Sequence, residues 1–520
     1  MFFKKLIFAA VVISMTFPSF AYAKNASEKN LNVYINSMEQ EEFLNEPYEK
    51  NGVVYLPLRE LCEKLGYTVA YSHPYAIIDR GPQSNTVSLS EDTLYYGEIN
   101  IEIKLKNKIE VSDGVMYIPS DLLYRIFYET GLSVDEGNVL ITWRDESNKN
   151  RRENDYTFAV SLLNELPETE NSVIAVESLK TALAMTANGT EGKTREQILN
   201  ALNISELESY NRRSAKNLEL WENSPFTTAV YTSANSIWIN GAENELQKEF
   251  KDTAENYYKS TAEIIENSDI SPINEWVEEK TDGYVKSPVK DAEFEIVLLN
   301  AALFEGTWIC PFDGDNKKGI FHNADGTEID IDYMVMDKPL GDEDLFQYYE
   351  EEGMKALTLA YGTARNMDII TGDMAELYTP YDMTFVLSDK PVDNGMLERI
   401  FNGSKKENVY IQMPEFEIDN NINIKEMLKN MGVSNIFEPG EAELSPMLKE
   451  GYNYYVSDII QNTAISVDEK GTRAASVSSV SLVRSIPEQK KFIADRPFYY
   501  FLRDKETGEI LFEGKFAKAE

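Results

Sequence analysis

Residues 292–312, AEFEIVLLNAALFEGTWICPF, constrain this chain's fold more than any other stretch. β-Branched and aromatic residues crowd the run and glycine bounds it, the composition of a strand. SANSIWIN (233–240) has the same character. Between them QKEFKDTAENYYKSTAEIIE (247–266) reads as helical, and INEWVEEKTDGYV (273–285) reads as a further helix stopped by Gly283. Upstream, YTFAVSLLNEL and NSVIAVESLKTALAMTANGTEGKTREQILNAL are also helical. There Ser178 is placed to cap a helix through Met185 that Gly189 ends, and Thr194 opens another. The last third is short strands apart from the helix IKEMLKNMGV (424–433). Helices first and strands later predict an α+β fold with large antiparallel sheets.

A chain of 520 residues is too long for one ordinary core, and a repeat marks off its first part. NGVVYLPLRELCEKLGYTV (51–69) and DGVMYIPSDLLYRIFYETGLSV (113–134) share one plan: turn, strand, proline, short helix, glycine, strand. Asn51-Gly52 and Asp113-Gly114 are hairpin turns. Pro57 and Pro119 end the strands, and Gly66 and Gly131 fit helix C-caps. With AIIDR and VSLS as strands between the copies, residues 32–143 form one small α+β repeat domain. RDESNKNRRENDY is charged and aperiodic, so 144–155 is a linker and 156–520 a second domain. Residues 1–23 carry Lys4 and Lys5, an apolar stretch broken by Pro18, and then AYA, which is a secretory signal peptide cleaved after Ala23. No later segment is apolar enough to span a bilayer, and no cysteine near the cleavage site invites a lipid anchor. The expectation is an exported, secreted protein, extracellular or held at the cell envelope.

The formal net charge is −38, from 50 basic against 88 acidic side chains, which excludes a nucleic-acid partner because phosphate binding needs a basic surface. The two cysteines, Cys62 and Cys310, give no disulfide framework. The two histidines, His73 and His322, leave histidine-rich metal sites and Ser/His or Cys/His catalysis almost nothing to draw on. No cofactor and no metal are expected.

One stretch remains odd. Residues 469–486, EKGTRAASVSSVSLVRSI, join two strand-like segments with small residues and no proline. Gly471 supplies a pivot. From there a period-2 split puts Thr472, Ala474, Ser476, Ser478 and Val480 on one face and Arg473, Ala475, Val477, Ser479 and Ser481 on the other. The first face is uncharged throughout and is assigned inward. Without proline every residue can complete a ladder. Residues 472–484 extended reach roughly 40 Å, enough to cross a large sheet.

The order and spacing of NSVIAVESLKTALAMTANGTEGKTREQI, INEWVEEKTDGYV, NAALFEGTWICPFD, YIQMPEFEI, LKNMGVSNIF, VDEKGTRAAS and RPFYYFLRDKETGEILFEGKF resemble the serpins along about 365 residues. The VVYLPLRELCEKLGY pattern resembles the domain named for the N-terminal part of copper amine oxidases, over about 110 residues. One histidine in that region cannot build a three-histidine copper site. The first domain therefore reads as a non-catalytic attachment or spacer module with a cell-envelope or extracellular ligand.

The serpin resemblance implies helices plus three β-sheets with an exposed reactive-centre loop, here 469–486. It implies a monomer that is not an enzyme but a suicide substrate. A target serine protease cleaves the loop, forms a covalent acyl-enzyme complex and is carried along as the loop inserts into the central sheet. The hinge is Glu469, Gly471, Thr472, Ala474 and Ala475. The reactive bond is Arg484-Ser485, which suits trypsin-like proteases. The family's usual count falls one residue later, at Ser485-Ile486, which would suit elastase- or subtilisin-like targets. Asn300, Phe304, Gly306 and Trp308 match the motif at the top of the sheet where insertion begins, and Ser178 the helix serine beneath it. Gln461 stands where the family carries a histidine, and glutamine bonds without titrating. Two other classes stand beside this reading: a non-inhibitory serpin-fold binding or scaffold protein, and an amine oxidase, which would require copper.

Overall fold

The computed structural model describes the chain except residues 1–30, 36–37, 40–42, 52, 66, 73–74, 80–86, 97–100, 123–125, 127–129, 136–137, 144–155, 223–228, 242–244, 267, 281–288, 313, 338–345, 365–376, 450–453, 473–488, 506 and 520. It divides into two compact units, Met1–Trp143 and Arg144–Glu520.

In the first unit each repeat opens with a tight hairpin, Tyr48–Lys50 with Val53–Pro57 and Glu110–Ser112 with Val115–Pro119. Asn51, Asp113 and Gly114 take the positive φ that such two-residue turns demand. The inner strands of the two copies then pair antiparallel, Leu56 opposite Ile118, into one four-stranded sheet. Pro57 sits at the N-cap of the helix Leu58–Lys64, which buries Leu58, Leu61 and Cys62 against the sheet. The second copy differs: after Pro119 comes the 3-10 turn Ser120–Leu122, and Gly131 lies inside the strand Thr130–Asp135 opposite Thr142 instead of capping a helix. Gly66, Gly52 and His73 lie outside the described residues. Cys62 and Cys310 are both buried.

Among the described residues the second unit holds three sheets. The central one contains β1 (Ala229–Asn240), β2 (Thr261–Ile265), β3 (Ile296–Thr307), β4 (Phe416–Asn423), β5 (Val456–Val467) and β6 (Gly471–Thr472), in the order β2-β1-β3-β6-β5-β4. A seven-stranded sheet packs behind it, and a four-stranded sheet runs from Lys317–His322 to Lys490–Ile493. The run that opened the sequence reading is β3, and its continuous hydrophobicity has a physical cause. Ile296 and Leu298 face one core with the helix α1 (Val176–Asn188), while Val297 and Leu299 face another beneath the helix Ser271–Lys280. A strand buried on both faces cannot alternate apolar with polar.

Two local expectations change. The helix read over 247–266 stops at Tyr258, where Lys259 enters the left-handed region, and TAEII becomes β2, parallel to β1. Its β-branched residues pack sideways on Trp238 and Ile239 of β1 rather than closing helical turns. Ser178 is not a cap: α1 begins two residues earlier, after Ala175, which turns the Ser178 hydroxyl toward the central sheet. Gly189 does terminate α1, as read from sequence, whereas the next helix begins at Gly192, ahead of Thr194.

One buried residue is out of keeping with its surroundings. Glu513, in the strand Ile510–Phe516, is fully buried between Ile174 and Phe501 on the neighbouring strands, and neither carboxyl oxygen has a hydrogen-bond partner among the described residues. Burial holds its pKa well above the carboxylate range. Its folded pKa is therefore raised over the unfolded value of about 4.3, so stability is fullest below that pH and is lost as pH rises toward the folded pKa. Glu513→Met is expected to raise the melting temperature by a few degrees, with a gain in stability of about 1–3 kcal/mol that grows between pH 5 and 8. Melts of both proteins across that range check it, and parallel pH profiles would contradict it.

Candidate functional site: the opening in the central sheet

β3 and β5 lie side by side and run parallel, with Leu298 opposite Ile459, Asn300 opposite Gln461 and Ala302 opposite Thr463. Beyond Ala302 the two strands separate. Into the gap fits β6, antiparallel to both: Thr472 pairs with Gly306 of β3 and with Val467 of β5, and Gly471 pairs with Thr307. The sheet is thus closed along its length and holds a two-residue wedge at one end.

The sequence builds this wedge residue by residue. Asp468 folds its carboxylate back onto the amides of Lys470 (2.7 Å) and Gly471 (2.9 Å), the local turn that an Asp two or three residues before a glycine favours. Three successive carbonyls are then held by the segment after β3. The Trp308 indole Nε1 donates to the Asp468 carbonyl, the Phe312 amide to that of Glu469, and the Trp308 amide to that of Lys470. The Glu469 carboxylate accepts from Asn316 Nδ2 at 3.3 Å. Gly471 has φ of 154°, and a Cβ there would collide with the Gly306 carbonyl oxygen, so glycine is required both by conformation and by space. Gly306 is required in turn by Tyr361 and Phe304, whose rings occupy the place of its Cβ.

Thr472 is fully buried and its hydroxyl meets the Tyr361 hydroxyl at 2.7 Å. Tyr361 belongs to the strand Met354–Ala364 of the seven-stranded sheet and stacks on Trp308, ring centroids 4.1 Å apart. Burial pushes its phenol well above the ordinary range, so it remains a neutral donor and acceptor. Thr472 therefore points to the rear of the sheet, the inward direction assigned to its face from sequence.

Halfway down, a second polar group is sealed inside the core. Ser178 on α1 meets Ser233 of β1 at 2.6 Å. Asn300 of β3 donates to Ser178 and to Asn235 of β1 (2.5 Å each), and accepts from Gln461 Nε2 of β5 (2.5 Å). Gln461 also grips the backbone of Ala175, accepting from its amide at 2.9 Å and donating to its carbonyl at 3.0 Å. One amide side chain thus ties β5 to β3 and to the start of α1.

The structure sorts the sequence-derived positions into two groups. Gly471, Thr472, Phe304, Gly306 and Trp308 converge at the wedge, with Glu469 at its base. Ser178, Asn300 and Gln461 converge at mid-sheet. Asn300, expected at the top, lies eight residues before Trp308 along an extended strand, roughly 26 Å away, and works with the mid-sheet group. Ala474, Ala475, Arg484 and Ser485 lie outside the described residues. Sequence reading missed Asp468, Tyr361, Ser233 and Asn235. The D-x-x-G spacing of Asp468 was a readable turn signal; Tyr361 lies far away in sequence and carried none.

The family model described as serpin (serine protease inhibitor) matches residues 153–519, and that described as copper amine oxidase N-terminal domain matches residues 34–138. An uncharacterised serpin-like protein of Thermococcus kodakarensis is 30% identical over 378 residues, covering 69% of this chain and 83% of that one. Serpin-Z10 of Arabidopsis thaliana is 30% identical over 372 residues, covering 66% of this chain and 91% of that one. Among solved structures, the thermophilic serpin tengpin in its native state matches with a TM-score of 0.61 at 26% identity, covering 74% of this chain and 95% of that one.

Removing the mid-sheet clamp should loosen β5 first. Gln461→Ala leaves Ala175 N–H and Asn300 Oδ1 without their partner, while Ala175 C=O keeps the Leu179 amide, a cost of about 2–4 kcal/mol at 1–3 kcal/mol per stranded group after partial repair by water. Denaturant unfolding monitored by tryptophan fluorescence would report the loss. A midpoint unchanged from the parent protein would show that the clamp is idle.

Proposed function

We propose, since this chain belongs to the serpin family, that its second unit is a secreted, single-use inhibitor of trypsin-like serine proteases, presented by an N-terminal attachment module. Protease inhibition is the family's general function. The single observation that carries the inhibitory reading is the wedge: a closed sheet whose β3 and β5 pair directly, with Gly471 and Thr472 of the loop already seated between them.

The chemistry follows from that geometry. The protease serine attacks the Arg484 carbonyl carbon, an ester forms, the Arg484-Ser485 peptide bond breaks, and the Ser485 nitrogen leaves with a proton. The new C-terminal piece stays in place, because Lys490–Ile493 is a strand of the four-stranded sheet and Phe498–Asp504 and Ile510–Phe516 are strands of the seven-stranded one. The freed arm after Thr472 then continues antiparallel between β3 and β5. Each step replaces a parallel pairing by two antiparallel ones, and parallel pairing is the slightly weaker kind. At about 1 kcal/mol net per hydrogen bond, roughly ten added bonds amount to the scale of a whole domain's stability. The acyl-enzyme is dragged with the arm before water can release it. Cleavage at Ser485-Ile486 would follow the same course with elastase- or subtilisin-like proteases.

Incubation with trypsin should give an SDS-stable covalent complex at close to one protein per protease. Mass spectrometry under denaturing conditions should find the C-terminal fragment 485–520. A fragment 486–520 with a subtilisin-like protease would move the bond by one residue. Clean cleavage by every serine protease tried, with no complex, would overturn inhibition in favour of a binding or scaffold protein.

A further inference from the structure

We infer that Tyr361 is a positioning residue whose hydroxyl latches Thr472 and so keeps the first rung of strand insertion formed before any protease arrives. The inference deepens the inhibitory reading above and rests on it for its kinetic consequence, though not for the latch itself. Gly471 and Thr472 already belong to the central sheet on both sides. Backbone pairing alone would hold them weakly, since two residues carry little ladder. Among the described residues, their one fully buried side-chain anchor is the Thr472 hydroxyl on the Tyr361 hydroxyl.

Tyr361 is well suited to hold it. Its ring is stacked on Trp308 and edge-on to Phe304 at 4.8 Å, and its backbone bridges to Trp308. It stands on the seven-stranded sheet, not on β3 or β5, so parting those two strands does not carry it away. Withdrawing Thr472 strands two buried hydroxyls, whereas threading further residues behind it disturbs neither. The latch is therefore one-directional. It resists retreat and permits advance, and insertion after acylation starts from an existing rung instead of nucleating one.

Two near-isosteric substitutions test this from opposite sides, Tyr361→Phe and Thr472→Val. Each is expected to raise the number of inhibitor molecules consumed per protease trapped by severalfold, while the rate of loop cleavage changes less than twofold. The double variant should be no worse than either single, and Thr472→Ser should restore parental behaviour. Loss of melting temperature without a change in partitioning would assign Tyr361 a purely structural role. Hydrogen–deuterium exchange of the peptide covering 468–472 reads the latch without any protease. Exchange tenfold faster in Tyr361→Phe supports the latch even if no covalent complex forms with the parent, and unchanged exchange overturns it.

Discussion

The seven paired positions joining β3 to β5 are parallel, and everything else in the second unit is arranged around that choice. Parallel strands leave between them a slot that a strand running the other way can fill with better hydrogen-bond geometry on both sides. A sheet closed in this manner is complete, and the proposed inhibitory reading requires that it not be the best sheet the same residues can form. The large apolar cores on both faces of β3 hold the present arrangement rigid. The few polar contacts within and above it decide where it can come apart.

Those polar contacts differ in kind. At mid-sheet, Ser178, Ser233, Asn235, Asn300 and Gln461 form a largely buried network that crosses three strands and one helix. Such networks are costly to leave half satisfied, so they open together or not at all. At the wedge the contacts are serial: an Asx turn, three carbonyls taken in order, a glycine forced by its neighbour, a single hydroxyl pair. Serial contacts give way one at a time. The molecule thus combines a cooperative bolt in the middle of the sheet with a graded entrance at its end. Neither involves a histidine.

Much of this was legible before any coordinates. The α+β class, the strand at 296–307 and the paired hairpins of the repeat follow from composition, periodicity and turn residues, which act locally. Ser178, Gly306, Trp308 and Gln461 were found by resemblance. What escaped was long-range. TAEII looked helical because a helix preceded it, and only the neighbouring strand Ala229–Asn240 makes it β. Asn300 was assigned to the wrong end of its strand because sequence gives spacing but not which neighbour a side chain meets. Tyr361 is 111 residues from Thr472, and no local pattern could join them. Nothing in ILFEGKF announced that Glu513 would be sealed without a partner, since a strand's buried face is set by what packs on it.

The two ends of the described backbone around the loop are fixed in different sheets, Thr472 in the central one and Lys490 in the four-stranded one. While the chain is continuous, an arm cannot travel far into the slot without pulling Lys490–Ile493 out of its parallel ladder with Val409–Pro414. A single intact peptide bond therefore works as a mechanical fuse. Under the proposed inhibitory reading, the sheet's preference for another strand would be present from the moment of folding, and the covalent tether would set when it is expressed. Protease action would then be stored in one broken bond and read out by a change in topology, irreversibly and without any external energy source.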